Sequence, residues 1–176
     1  MDRDKLVEKL LEDPIIAEIN SNRDESKSHL KYNLIGGAVI DILEDRKPKD
    51  YDFLNNSSAS LITILKKIGF KYSHSSKTAT TYSRGEDVIQ ILKTNKEDFE
   101  YTISQATLVL TKKPSLQIDE ESFEGKVLIP IEFDRPFQAC RCLIRKPHWE
   151  RKGYVLPEET YYSLVNILNN KTSRCS

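Results

Sequence analysis

The stretch from Asn33 to Phe53, NLIGGAVIDILEDRKPKDYDF, governs the reading of the chain. It continues the alternating run that starts at Leu30, LKYNLI, and that alternation predicts a strand running into a turn at Gly36-Gly37. AVIDILED then places Val39, Ile42 and Leu43 on one helical face, with Asp41 off it. Lys47-Pro48 ends the helix, and YDFLN from Tyr51 is a short strand.

Two features of this stretch carry chemistry. A glycine pair between strand and helix lets the backbone turn sharply and lets a phosphate approach main-chain N–H groups at the helix start; the same pair equally suits a tight turn with no ligand. Asp50 and Asp52 are two apart, so on a strand both carboxylates project from one face and Tyr51 from the other. Like charges so close repel unless a cation lies between them, and Mg²⁺ takes one or two carboxylates together with substrate phosphates. That pattern suits phosphoryl or nucleotidyl transfer. The alternative is an aspartate closing a solvated turn after Lys49.

Beyond this stretch, composition bounds the answer. The 176 residues suffice for one ordinary domain with a small helical appendage, and 27 basic against 27 acidic residues leave the overall charge silent about nucleic acid. Cys140, Cys142 and Cys175 are odd in number, and His29, His74 and His148 are scattered, which argues for a reduced protein without structural metal. The charged start and the lack of ~18 consecutive apolar residues predict neither signal peptide nor membrane span, and a cytoplasmic location.

Residues 1–29 read as a helical lead-in broken at Pro14, followed by the polar loop SNRDESKSH. After YDFLN, Ser57 or Ser58 is placed to cap a helix, ASLITILKKIG. FKYS, TATTYS and DVIQILK are three strand-like runs, the last two joined by a turn at Arg84-Gly85. FEYTISQATLVL resumes a β or mixed pattern, and EGKVLIPIEF reads as another strand. The predicted fold is α+β: a mixed, largely antiparallel sheet flanked by helices over 30–135, with a short helical extension over 136–176.

Taken together, Gly36, Gly37, Ala38, Val39, Ile40 and Asp41, then Asp50, Tyr51, Asp52 and Phe53, resemble the nucleotidyltransferases of the DNA polymerase β superfamily, above all the head domain of CCA-adding enzymes and bacterial poly(A) polymerases. That branch carries Gly-Gly-x-Val-Arg-Asp followed by x-Asp-x-Asp-Phe or -Leu. EYTISQA (Glu100 to Ala106) is similar to its Asp-Phe-Thr-Ile-Asn-Ala segment, and RKPHWERKGYVL (Arg145 to Leu156) to its Arg-x-x-Arg-Phe helix. The resemblance spans about Leu30 to Leu168. It implies a nucleotidyltransferase fold and transfer of a nucleoside monophosphate from a nucleoside triphosphate to an RNA or tRNA 3′ end. It also implies Mg²⁺ or Mn²⁺ on Asp50 and Asp52, and nucleotide contacts from Gly36, Gly37, Asp41 and Arg145.

Three departures temper it. Ile40 stands where the family has arginine. Gln90 stands on the strand that often supplies a third acid, leaving Glu100 or Asp87 as candidates for that role. The domains that grip tRNA in the longer enzymes have no counterpart. A non-catalytic nucleotide- or RNA-binding relative, or transfer to a small molecule or protein, is the alternative function.

The segment from Phe137 to Lys152 holds Arg141, Arg145, Lys146, Arg151 and Lys152 around Trp149. Arg141, Arg151 and Lys152 are candidate RNA contacts, with Trp149 either stacking on a base or packing in the core. Pro147 is expected to kink or interrupt this helix. Cys140 and Cys142 read as small buried side chains, and Tyr161 and Tyr162 as packing residues.

Overall fold

A computed structural model describes residues 1–172 except 25, 28, 94–98 and 132–134, with no side-chain description at 171 and 172. Cys175 and parts of two expected segments, the loop over 21–29 and the strand over 124–133, thus lie outside the described residues. The chain divides into two compact units: Met1–Glu97 with Ala106–Gln117, and Asp98–Gln105 with Ile118–Ser176.

The first unit opens with α1 (Arg3–Leu11) and α2 (Pro14–Ser21). Asp13 caps α2 by accepting from the Ile15 and Ile16 N–H groups at 3.0 and 3.1 Å. Pro14 at the first helical turn gives up an N–H that has no helical acceptor. There follow β1 (Tyr32–Ile35), α3 (Gly37–Leu43), β2 (Tyr51–Leu54), α4 (Ser58–Lys67), β3 (Lys71–Ser75), β4 (Ala79–Arg84) and β5 (Asp87–Leu92). β6 (Thr107–Leu110) and β7 (Ser115–Gln117) complete a seven-stranded sheet of order β3-β4-β5-β2-β1-β6-β7. Every pairing is antiparallel except β2 with β5. The turn at Arg84-Gly85 forms as expected, with Gly85 at φ +60°.

Strand parity decides what is buried. On β2, Tyr51 and Phe53 are buried while Asp52 and Leu54 are partly exposed; on β5, Ile89 and Ile91 are buried and Gln90 is partly exposed. Leu34, Ile35, Val39, Ile40, Phe53, Leu61, Leu65, Ile89 and Leu108 are fully shielded, each worth about 1.5–3 kcal/mol of burial. Ile40 therefore serves this core. Tyr51 donates its hydroxyl to Asp13 at 3.0 Å, tying α2 to the second strand. Burial, then the Asp13 charge, holds that hydroxyl protonated well above its ordinary range. Ser57 occupies the cap position of α4 in a left-handed conformation without a side-chain cap bond. Its hydroxyl accepts instead from the Lys31 N–H.

The second unit holds a 3-10 turn (Thr102–Gln105), α5 (Glu120–Gly125), α6 (Pro136–Glu150) and α7 (Glu158–Thr172). Here the sequence reading needs correction. The described part of EGKVLIPIEF, residues 124–131, is not a strand: it begins as the end of α5, and Val127 and Pro130 form only isolated bridges, to Val155 and Tyr101. Asp119 caps α5 by accepting from Ser122 N–H at 2.7 Å, and Lys126 ends it in the left-handed region. FEYTISQATLVL divides into the 3-10 turn and β6. Pro147 does not interrupt α6, which runs on to Glu150. Trp149 is buried against Tyr154, with ring centroids 5.5 Å apart, so it has no face to offer a base. Cys142 is buried but Cys140 is exposed, and Tyr161 and Tyr162 are exposed rather than packed.

Candidate active site

Asp52 lies in register with Gln90 across the parallel β2–β5 pair, and the Gln90 side-chain amide donates to Asp50 Oδ2 at 3.3 Å. Both aspartates therefore share the face that carries Gln90, as their spacing predicted. The row continues outward: Gln90 pairs with Thr81 on β4, and Thr81 with His74 on the edge strand β3, their Oγ1 and Nε2 3.5 Å apart. One polar row, His74, Thr81, Gln90 and Asp52, thus crosses four strands, directly opposed residues sharing a face. Sequence reasoning missed His74 and Thr81. Their period-two alternation was visible, but which face they join depends on a register that includes an irregularity between Tyr72 and His74.

The glycine pair divides its labour. Gly36 is buried at φ +72°, and its N–H donates to Ala106 O at 2.8 Å, so its own amide is used inside the sheet. Gly37 begins α3 and is partly exposed; N–H groups at that position have no intrahelical acceptor. Asp41 is buried rather than presented to a ligand. It accepts from Arg46 Nε at 2.9 Å while Arg46 N–H bonds the Asp41 carbonyl at 2.7 Å, closing the end of α3.

Asp50 and Asp52 supply hard carboxylate oxygens, and the Gln90 side chain adds an amide oxygen, a donor set that fits a divalent cation completed by phosphate oxygens. Among the described residues no group of three or more His, Cys, Asp or Glu is placed to hold a metal. Of the two candidate third acids, Asp87 does not join the pair. Asp87 lies three residues before Gln90, on the opposite face, and pairs with Arg84 at 3.8 Å. Glu100 belongs to the second unit, where it is buried and accepts from Arg141 Nε and Nη2 at 3.2 and 2.8 Å, with Arg145 Nε 4.0 Å away. Arg141 is thus committed to an internal carboxylate. Arg145 keeps a half-exposed side chain, Arg151 is exposed at the end of α6, and Lys152 sits 5.9 Å over the Trp149 ring.

Neither a family model nor a curated protein sequence matches this chain. Solved structures do. A CCA-adding enzyme with CTP superposes with a TM-score of 0.72 at 17% identity, covering 100% of this chain and 48% of its own. The Thermotoga maritima CCA-adding enzyme complexed with tRNA gives 0.70 at 19%, covering 97% and 46%. A tRNA nucleotidyltransferase with a primer tRNA and an incoming ATP analogue gives 0.63 at 14%, covering 87% and 50%. The fold is the nucleotidyltransferase fold. This chain spans about half the length of those structures, and at such identity the likeness establishes architecture alone. The nucleotidyltransferase head resemblance read from Gly36 to Phe53 is borne out at that level. Among the described residues no helix is long and apolar enough to cross a membrane.

Proposed function

We propose that this chain is a metal-dependent nucleotidyltransferase that moves a nucleoside monophosphate from a nucleoside triphosphate to the 3′ hydroxyl of an RNA. The observation that carries the reading is the pair Asp50 and Asp52 held on one face of the sheet beside Gln90. The acceptor hydroxyl loses its proton to solvent as its oxygen bonds to the α-phosphorus and the bond from that phosphorus to the pyrophosphate oxygen breaks, releasing pyrophosphate. Mg²⁺ or Mn²⁺ bound by the two aspartates would supply Lewis-acid stabilisation of the phosphate charge. Gln90 fixes the Asp50 carboxylate through its amide, and Gly36 sets the tight entry into α3 so that phosphate can approach Gly37. Arg145 is assigned to the nucleotide, and Arg151 and Lys152 to the RNA backbone. Support for an RNA acceptor comes from the tRNA complexes among the similar structures.

Incubation with each labelled triphosphate, Mg²⁺ and total tRNA should yield labelled RNA and pyrophosphate. Asp52→Asn should abolish both, and Arg151→Glu with Lys152→Glu should reduce RNA labelling while sparing triphosphate binding. A second reading, a binding relative without catalysis, is favoured by Gln90, because a neutral amide holds a cation more weakly than a carboxylate. Triphosphate binding without pyrophosphate release, whatever the acceptor, would decide for it.

A further inference from the structure

A cavity of about 250 Å³ lies in the first unit, its lining including Arg23, Asp24, Lys27, Tyr32 and Lys112. Register places it away from the aspartates. Ile35 is the β1 residue paired with Asp52, whereas Tyr32, at the other end of β1, pairs with Leu110 just before Lys112. Those two ends of β1 are roughly 10 Å apart.

The charges in this cavity are poorly matched from within. Arg23 Nη1 is excluded from solvent and has no hydrogen-bond acceptor among the described residues. Among the described residues the Arg23 and Lys112 side chains form no ion pair. Asp24 is the one acid among the described residues of the lining, and it is taken up by Lys27 at 3.2 Å and by the Ser26 hydroxyl at 2.6 Å. Among those described residues, three cations less one carboxylate leave a surplus of two positive charges. A guanidinium N–H buried without an acceptor is costly, and a bound anion would supply one.

We infer that this cavity binds a small phosphate-type oxyanion, with the Arg23 guanidinium and the Lys27 and Lys112 ammonium groups as its ligands. The planar fork of arginine suits phosphate oxygens, and a dianion cancels the surplus charge. The volume falls below the ~300–1,000 Å³ of pockets that enclose drug-sized ligands, which fits a single phosphate group rather than a whole nucleotide. None of these residues belongs to the Asp50 and Asp52 site, so the inference stands apart from the proposed transfer reaction.

Calorimetric titration of the full chain in metal-free buffer at constant ionic strength, with inorganic phosphate and separately with a short oligoribonucleotide, tests it. Wild type and Asp52→Asn should both show saturable phosphate binding, and Arg23→Gln should lose it. Because Arg23 is partly buried, the surface variant Lys112→Gln provides a second arm, with affinity falling about tenfold for one lost charged hydrogen bond. Tighter binding of the oligonucleotide, in competition with phosphate, identifies a backbone phosphate as the occupant; phosphate binding alone identifies a free anion. No binding of either, binding unchanged in both Arg23→Gln and Lys112→Gln, or loss in Asp52→Asn overturns the inference.

Discussion

Gln90 is the residue on which the chemistry of the sheet turns. It sits beside Asp52 in register and bonds Asp50, so a carboxylate there would make a third acid on the same face. Gln90→Glu is expected to lower stability without metal by about 1–3 kcal/mol, because three like charges would share one site and the amide bond to Asp50 would be lost. Adding Mn²⁺ should reverse the loss and bind more tightly than in wild type. Thermal unfolding with and without Mn²⁺ measures both, and a variant indifferent to Mn²⁺ would remove the cation from this face. Ile40 shows the opposite kind of departure. It is fully buried, so the position given to arginine in the resembling enzymes has been turned over to the core.

At the scale of elements, α6 keeps its course through Pro147, whose nitrogen cannot donate to the carbonyl one turn earlier. Pro147→Ala restores that donor three residues from the helix end and is expected to raise stability by about 1–2 kcal/mol, read from the urea midpoint. An unchanged or lowered midpoint would mean that the proline ring contributes packing worth as much as the missing bond. The strands and helices from Leu30 to Leu92 were legible because turn residues punctuate a clear period: Gly36-Gly37, Lys47-Pro48 and Arg84-Gly85 bound runs whose alternation matches their burial. The pair Asp50 and Asp52 was legible for the same reason. The segments 100–105 and 118–131 were not. Their apolar residues pack without a regular pairing partner, and a short helix such as α5 is defined by the Asp119 cap rather than by periodicity. Arg141 read as a surface cation because nothing local announces that Glu100, far away in sequence, is its buried partner.

For the whole molecule, alkaline pH is the expected weakness. Burial, helped by the Glu100 charge, pushes the Cys142 thiol from its ordinary 9.0 up to about 11, and burial also raises the hydroxyls of Tyr51 and Tyr101. In each case the folded state holds a proton that the unfolded chain gives up sooner. The stability contributed by Cys142 is therefore complete below pH 9.0 and is lost as pH rises through about 11. Melting temperature should be level from pH 7 to about 9 and fall beyond it, with a smaller fall in Cys142→Ala. A level profile through pH 11 in wild type would contradict the burial of these groups.

The interleaving of the two units bears on how the protein is made. β1 gains its second neighbour only when β6 has been synthesised, and the strip Asp98–Gln105, which belongs to the second unit, leaves the ribosome before that strand does. A nascent chain halted at Gln117 would already contain Glu100 and Tyr101 but not Arg141 or the Cys142 carbonyl that satisfy them. The sheet and the helices that follow it are therefore poor subjects for separate expression as contiguous fragments. Either fragment would leave polar groups of the other's making without their counterparts.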